Sequence, residues 1–240
     1  MTMKLSPFWW DIDTPLIAEN NSNGLLADAE FVIVGGGFTG LSAALTIARQ
    51  GRSVVVLDSG TPGFGASTRN GGICSGNIRP SHSALRKTYG RAFADEVYAE
   101  GIEARVDLAK FCSEEKIDCD LQMTGRFTGA MCQSDYDAQA REVKSLNNID
   151  GHAAHMVPKP AQHSEIATDL FFGGMVREEI GGYHPGKFFA GLLRTAQSAG
   201  VVIHSDTTVK DITDLTPSQK SVITDRGTIT AGKVIIATNA

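Results

Sequence analysis

The stretch VIVGGGFTGLSAALTIARQGRSVVVLD, residues 32–58, decides the fold of this chain. It opens on a short apolar run, passes three glycines at the spacing GxGxxG and becomes rich in Ala and Leu. A second apolar run, residues 53–57, ends at Asp58. Such runs are typical of strands buried on both faces of a parallel sheet, and the segment between them predicts a helix. The stretch therefore predicts a complete β-α-β unit.

The spacing of the glycines is that of a dinucleotide-binding turn. Gly35 permits a tight turn, Gly37 lets the backbone approach a pyrophosphate, and Gly40 lets the helix pack close to the strand. The pyrophosphate is expected at the helix N-terminus, where free N–H groups and the helix dipole favour negative charge. Asp58 is placed to accept from ribose hydroxyls, and its charge disfavours a 2′-phosphate. The candidate cofactor-binding residues here are Gly35, Gly37, Phe38, Thr39, Gly40, Asp58 and Ser59.

A long glycine-rich polar loop, GTPGFGASTRNGGICSGNIRPS, follows at residues 60–81. A nicotinamide-binding fold would continue here into a helix and a third strand. The glycines suggest a backbone pressed against a ligand, and the polar side chains offer donors to phosphate and ribityl oxygens. FAD suits such a loop, while nicotinamide dependence and a loop without a ligand stay open. The candidate residues are Gly65, Ala66, Ser67, Arg69, Asn70, Gly71 and Gly72.

The remaining segments predict a sheet that opens at residues 31–58 and resumes only after residue 200. Residues 1–28 predict an irregular arm held on the domain by Phe8, Trp9 and Trp10. In the middle of the chain we expect a helical tract at 83–116 broken near Gly90 or Gly101, a strand at 121–132, a helix at 134–147 and a strand at 174–178. Later we expect a helix at 185–199, strands at 201–203, 207–212, 221–224 and 233–237, and a hairpin turn at 225–227.

Composition excludes several classes of partner. The net charge of −5 and the pI near 5.7 argue against nucleic acid and anionic membranes, because phosphate binding needs a basic face. The four cysteines show neither CxxC pairs nor zinc-type spacing, so we expect reduced thiols and no metal site. The sequence shows no secretory h-region and no apolar run of the roughly 18 residues that a membrane span needs. We expect a cytoplasmic protein whose partner is a small molecule.

Residues 32–72 resemble the FAD-dependent oxidoreductases of the D-amino-acid oxidase superfamily. The RNGG of the loop and the arm FWWDIDTP are most similar to the branch that contains gamma-glutamylputrescine oxidoreductase. Residues 171–212 follow the family's order of a Gly-Gly strand, a His-Pro before a helix, a Gly-Val strand and a Thr-x-Val segment. The resemblance implies that Val209 holds the adenine edge and that the turn of Ala237, Thr238 and Asn239 lies near the pyrophosphate.

The resemblance also implies an architecture. It is an α/β fold, a Rossmann-like FAD-binding domain of the GR2 type with an incomplete α+β substrate domain inserted. The FAD-binding domain would comprise residues 29–80 and 185–240, the arm residues 1–28, and the helical region with the partial substrate domain residues 81–184. Family members continue past the turn at 237–240, so the chain is expected to be the front portion of a longer protein.

The implied reaction is oxidation of a C–N bond by non-covalently bound FAD. A hydride leaves the carbon next to an amine nitrogen, the imine hydrolyses, and the electrons pass to oxygen or another acceptor. Tyr183 is a weak candidate for substrate contact, His184 is better explained as a helix start, and Cys74 is disfavoured as a covalent tether. Catalytic residues stay unassigned. The alternatives are an FAD-binding module without turnover and a nicotinamide-dependent dehydrogenase.

Overall fold

The computed structural model describes residues 6–12, 24–76 and 78–239. The chain divides into two compact units. The first comprises the described residues of Met1–Gly71, Glu114–Cys119 and His184–Ala240, and the second those of Gly72–Ser113 and Asp120–Tyr183. Most of the predicted arm, together with Ala240, lies outside the described residues.

The elements alternate between helices and strands along much of the chain. The helices are α1 (Trp9–Ile12), α2 (Phe38–Ala48), α3 (His82–Tyr89), α4 (Arg91–Glu114), α5 (Gln133–Leu146) and α6 (Pro185–Ser198), with 3-10 turns at Ala66–Thr68 and Lys159–Ser164. The strands are β1 (Asp28–Val34), β2 (Val54–Leu57), β3 (Ile73–Cys74), β4 (Arg126–Gly129), β5 (Ala154–Pro158), β6 (Gly173–Arg177), β7 (Gly181–Gly182), β8 (Val202–His204), β9 (Val209–Thr216), β10 (Gln219–Thr224) and β11 (Gly227–Ile236).

A six-stranded sheet forms the first unit, in the order β8-β2-β1-β11-β10-β9. β1 is parallel to β2 and to β11, and β2 is parallel to β8. β9, β10 and β11 form an antiparallel meander. The predicted α/β class with a parallel sheet is confirmed, as is a sheet that opens at the first β-α-β unit and resumes after residue 200. β11 begins earlier than expected, because its first half pairs with β10 before its second half pairs with β1.

One apolar cluster joins all six strands of this sheet. Its buried members are Ala29, Val32, Val55, Leu57, Val222, Ile229 and Ala231, and Val202, Val209 and Ile212 of β8 and β9 pack against them. Removing this much apolar surface from water is the main force that holds the sheet together.

Helix α6 packs against α2 through aromatic rings. The ring of Phe38 lies 5.3 Å from that of Phe188 and 5.8 Å from that of Phe189. His184 caps α6, since its Nδ1 accepts from the Lys187 N–H at 3.2 Å, and Pro185 begins the helix. The predicted helix and its His-Pro start are confirmed.

The second unit contains a three-stranded antiparallel sheet in the order β4-β6-β5 and a two-stranded pair of β3 and β7. Leu146 of α5 packs on this sheet in a cluster with Ala154 and Met175. The helical tract breaks at Gly90, whose φ of 91° ends α3, and it runs without interruption through Gly101.

The second unit differs from the sequence-based expectation at two strands. The strand expected at 121–132 shortens to β4, and β5 was not predicted, because its register depends on pairing with β6. Within the described ranges, no helix has both the length and the apolar character needed to cross a bilayer.

Candidate functional site

A cavity of about 650 Å³ lies in the first unit, at the carboxyl ends of β1, β2 and β11. β1 has β2, which follows it in the chain through α2, as its neighbour on one side, and β11 as its neighbour on the other side. The strand order therefore changes direction at β1. Open α/β sheets bind their ligands at such a switch point. The lining residues are Val34, Gly35, Gly37, Phe38, Thr39, Leu57, Asp58, Ser59, Gly60, Thr61, Gly63, Phe64, Gly65, Ala66, Ser67, Thr207, Thr208, Val209, Ala237, Thr238 and Asn239.

The glycine turn has no room for side chains at two points. Gly35 has a φ of 108°, and a Cβ there would lie 2.6 Å from the carbonyl oxygen of Ala237. A Cβ on Gly40 would lie 1.9 Å from the carbonyl oxygen of Gly35. Gly40 therefore sets how closely α2 packs on β1, and it does not itself line the cavity.

The carboxylate of Asp58 is held by the backbone at the mouth of the turn. Its Oδ2 accepts from the Gly36 N–H at 2.8 Å, and its Oδ1 accepts from the Gly60 N–H at 3.0 Å. An ionised carboxylate has about four lone-pair sites, so two remain for a ligand. The main chain of Asp58 is held as well, because the Thr207 N–H donates to the Asp58 carbonyl at 2.8 Å.

Ser67 caps helix α2 from outside that helix. The N-cap residue Gly37 has no side chain, and the Ser67 Oγ accepts from the Phe38 N–H at 2.9 Å instead. The sequence predicted Ser67 as a donor to the cofactor. The structure places Ser67 on the cavity wall and shows its hydroxyl oxygen accepting from the helix terminus.

The cavity brings most of the predicted cofactor residues together, and five lie outside its lining. These are Gly40, Arg69, Asn70, Gly71 and Gly72. Arg69 donates from Nε to the Phe64 carbonyl at 2.6 Å, and Asn70 donates from Nδ2 to the Ser67 carbonyl at 2.9 Å. These two side chains bond to the loop's own carbonyls, and the binding role of the five residues stays a prediction.

Sequence reasoning missed several lining residues, namely Val34, Leu57, Gly60, Thr61, Gly63, Phe64, Thr207 and Thr208. Val34 and Leu57 end the two predicted strands, so their position at the carboxyl edge was a usable signal. Thr207 and Thr208 precede the predicted Val209, but only the fold shows that this link runs past Asp58.

Beside this link lies His204, which is 1% exposed. Neither of its ring nitrogens has a hydrogen-bond partner among the described residues. Burial, and then the positive charge of Arg226, lower the pKa of His204 below its ordinary value. Both effects favour the neutral imidazole over the charged form.

Tyr183 and Cys74 belong to the second unit and are not among the residues that line the cavity. Tyr183 is half-buried and donates its N–H to the Gly72 carbonyl at 2.8 Å, and its role in substrate contact stays a prediction. Cys74 is buried in β3, and no disulfide links any of the four cysteines, all of which are described. In the described part of the chain, no three His, Cys, Asp or Glu side chains are grouped to hold a metal ion.

The site combines a GxGxxG turn between a strand and a helix with an acid at the end of the next strand. These features surround a cavity at the switch point of the sheet, and together they define a dinucleotide-binding α/β protein. Residues 30–240 match the family model described as DAO, FAD dependent oxidoreductase. The chain belongs to this family, and its cofactor is FAD. The match decides between the flavin and nicotinamide alternatives that the residues alone left open.

Relatives and solved structures agree with the family. The chain is 30% identical over 208 residues to gamma-glutamylputrescine oxidoreductase of Escherichia coli K12, covering 87% of this chain and 48% of that protein. It is 28% identical over 213 residues to a probable oxidoreductase, OrdL, of Haemophilus influenzae, covering 88% and 49%. The fold is similar to that of glycine oxidase from Geobacillus kaustophilus, with a TM-score of 0.76, 24% identity and coverage of 90% and 56%. The chain spans about half the length of the curated relatives it matches.

Proposed function

We propose that the first unit binds FAD non-covalently and that the protein oxidises a C–N bond of an amine or amino acid. The observation that carries the proposal is the cavity at the switch point, bounded by the glycine turn, Asp58 and the turn at 237–239. Its volume of about 650 Å³ falls within the roughly 300–1,000 Å³ of ligand sites.

The residues present suit a dinucleotide with a diphosphate and two sugars. The first amides of α2 have no acceptor within the helix and favour a diphosphate. Asp58 accepts from a ribose, and Val209, at the start of β9, presents its backbone to the adenine. The turn of Ala237 and Thr238 closes the cavity beside Gly35, whose missing side chain permits that contact. When bound, FAD supplies the hydride acceptor.

The substrate class is proposed from the relatives. One is named for gamma-glutamylputrescine, an amine, and a structural neighbour for glycine, an amino acid. We propose a substrate of the gamma-glutamylputrescine type, oxidised to an imine that water hydrolyses, with electrons passing to O₂ or another acceptor. Tyr183 is the one substrate contact proposed.

The domain roles are proposed from the sequence, and their bounds differ from those of the two compact units at residues 72–80, 114–119 and 184. The arm would comprise residues 1–28, and the FAD-binding domain would comprise residues 29–80 and 185–240. The helical region with the partial substrate domain would comprise residues 81–184. We propose a small-molecule partner, no nucleic-acid partner and a cytoplasmic location, on the acidic composition and the cysteine spacing.

FAD binding and turnover are separate proposals, because the chain spans about half of its curated relatives. Binding of FAD without turnover is therefore the second candidate.

Reconstitution with FAD tests the first proposal. The purified chain is incubated with FAD, freed of excess ligand and examined for the visible absorbance of an oxidised flavin, with Asp58→Asn as the weakened variant. A folded chain that retains no flavin contradicts the proposal. Gamma-glutamylputrescine, sarcosine, glycine and D-amino acids are then added without oxygen. Bleaching of the flavin by one of them supports C–N oxidation, and full flavin loading with no bleaching supports the second candidate.

A further inference from the structure

Helix α1 is tied to the loop at residues 63–70 by both of its indole groups. Trp10 donates from Nε1 to the Thr68 Oγ1 at 3.1 Å, and Trp9 donates from Nε1 to the Asn70 carbonyl at 2.9 Å. The Thr68 hydroxyl is fully buried and donates onward to the Gly63 carbonyl at 2.7 Å. A continuous chain of hydrogen bonds thus runs from the arm across the 63–70 loop.

The same contact includes a stack around Arg69. Its guanidinium lies 4.2 Å from the ring centre of Phe64 and 4.9 Å from that of Trp10. The Trp10 and Phe64 rings are 5.1 Å apart. A guanidinium within about 6 Å of an aromatic face is attracted to it, so Arg69 joins α1 to the loop.

The 63–70 loop is held between this contact and the wall of the cavity. Gly63, Phe64, Gly65, Ala66 and Ser67 line the cavity, whereas Trp9, Trp10, Thr68 and Arg69 do not. On the inner side, Gly63 packs so closely on Phe189 that a Cβ would lie 2.5 Å from the ring. The Ser67 Oγ accepts from the first turn of α2. A shift of the loop would therefore move both the cavity wall and the cap of α2.

We propose that α1 is a latch on the 63–70 loop, with Trp10 as the positioning residue that sets how tightly the chain retains FAD. This rests on the proposed FAD site. Arg69 belongs to the latch, because its guanidinium stacks on the rings of Trp10 and Phe64 while its Nε donates to the Phe64 carbonyl. The sequence had instead suggested Arg69 as a donor to the cofactor itself.

The test is a titration of the apo chain with FAD. Trp10→Phe keeps an aromatic ring and removes the N–H donor, so we expect its Kd to rise about five-fold, the effect of losing one net hydrogen bond. Trp10→Ala and Arg69→Ala each remove the stack, and we expect a rise of about ten-fold for each. Because both act on the same contact, the double variant is expected to lose little more than either single variant.

Phe8→Ala is the matched control. The sequence had suggested Phe8 as an anchor of the arm, but Phe8 is 66% exposed and its ring contacts that of Trp9 on the same arm. We expect its Kd to stay within about two-fold of the wild type, the ordinary result for a surface change. An equal loss in Phe8→Ala would overturn the specific role of Trp10. A double variant about a hundred-fold weaker, as independent contacts would give, would show that Arg69 and Trp10 act separately and would refute their shared role in the latch.

Trypsin supplies a second readout, which needs no cofactor. Cleavage after Arg69 is expected to be slow in the wild-type apo chain and faster in Trp10→Phe, with urea unfolding of the two proteins nearly the same. Equal cleavage and equal FAD affinity in both would refute the latch. A wild-type chain that binds no FAD would instead refute the proposed function, while the cleavage comparison would still decide whether α1 holds the loop.

Discussion

Replacing Gly40 with Ala would place a methyl group 1.9 Å from the carbonyl oxygen of Gly35. Real Cβ atoms essentially never approach another heavy atom within 3.0 Å, so the two backbone segments must separate by at least about 1.1 Å. Neither segment can rotate away as a side chain would. The start of α2 must therefore move away from β1 and from the turn that borders the cavity.

The substitution has two opposing effects on stability, a better helix propensity and an overpacked contact between α2 and β1. Ala is favoured over Gly inside a helix by about 1 kcal/mol, whereas overpacking costs about 1–3 kcal/mol, and a contact between backbones belongs at the upper end. We expect a net loss of about 2 kcal/mol in the free energy of unfolding. A shift of about 1.1 Å also exceeds the roughly 0.5 Å range of a good N–H···O distance.

The effect on FAD should be larger. Hydrogen bonds to a charged group contribute about 1.5–3 kcal/mol each, and two amides of α2 moved out of range would cost about 3 kcal/mol or more. The Kd for FAD would then rise by about a hundred-fold. Titration of the apo chain, with urea unfolding run in parallel without FAD, separates the loss of affinity from the loss of stability.

Ser42→Ala is the control, because Ser42 is exposed on the same helix. We expect its stability to change by less than about 0.5 kcal/mol and its FAD affinity to stay the same. A Gly40→Ala protein with wild-type stability and a Kd within about three-fold of the wild type would refute the argument that this contact positions α2.

Three further predictions concern single groups. Ser67→Ala removes the acceptor for the Phe38 N–H and should lower the free energy of unfolding by about 1 kcal/mol, whereas Ser67→Thr should preserve it; urea unfolding checks both. The unfolded chain binds the proton of His204 at the ordinary pKa of about 6.5, and the folded chain at a lower pKa. Wild-type stability should therefore fall as the pH drops below about 6.5, and His204→Asn should flatten that slope in unfolding curves at several pH values. Burial raises the pKa of Glu179, but contacts with His152 and Arg177 outweigh it and hold the pKa at about 2. The ionised Glu179 should therefore stabilise the folded chain fully above about pH 4.5, and this stabilisation should be lost as the pH falls toward 2. Glu179→Gln should lower the free energy of unfolding by about 2 kcal/mol at pH 7 and should remove the part of the stability that is lost in acid.

Spacing made the glycine turn predictable from the sequence. The positions of Gly35 and Gly40 identify a strand-to-helix turn, because no residue with a Cβ fits where backbones meet. The acid at Asp58 follows from the same unit. The gap in the sheet between residues 58 and 200 was also readable, because the apolar strand pattern stops and then returns.

The partners of polar loop residues were not predictable. Arg69 and Asn70 have donors suited to phosphate, but nearby carbonyls of their own loop compete for these donors. Ser67 caps a helix that begins 29 residues earlier in the sequence, a relation that only the fold creates. The short strand β5 depends likewise on pairing with β6 rather than on its own residues.

The order of the six-stranded sheet has a consequence for its curvature. β8 and β9 occupy opposite edges, yet only residues 205–208 connect them. Five chain steps reach at most about 18 Å, whereas six flat strands would separate their outer members by about 24 Å. The sheet must therefore curl until its edges approach each other, which agrees with the Arg226 side chain donating to the Ser205 carbonyl at 3.3 Å.

The link between β8 and β9 is thus the seam of a partly closed sheet. Thr207 and Thr208, within this seam, also line the cavity. One short segment therefore limits how far the sheet can open and forms part of the ligand site. We therefore expect insertions between residues 205 and 208 to relax the curl and to widen the cavity together.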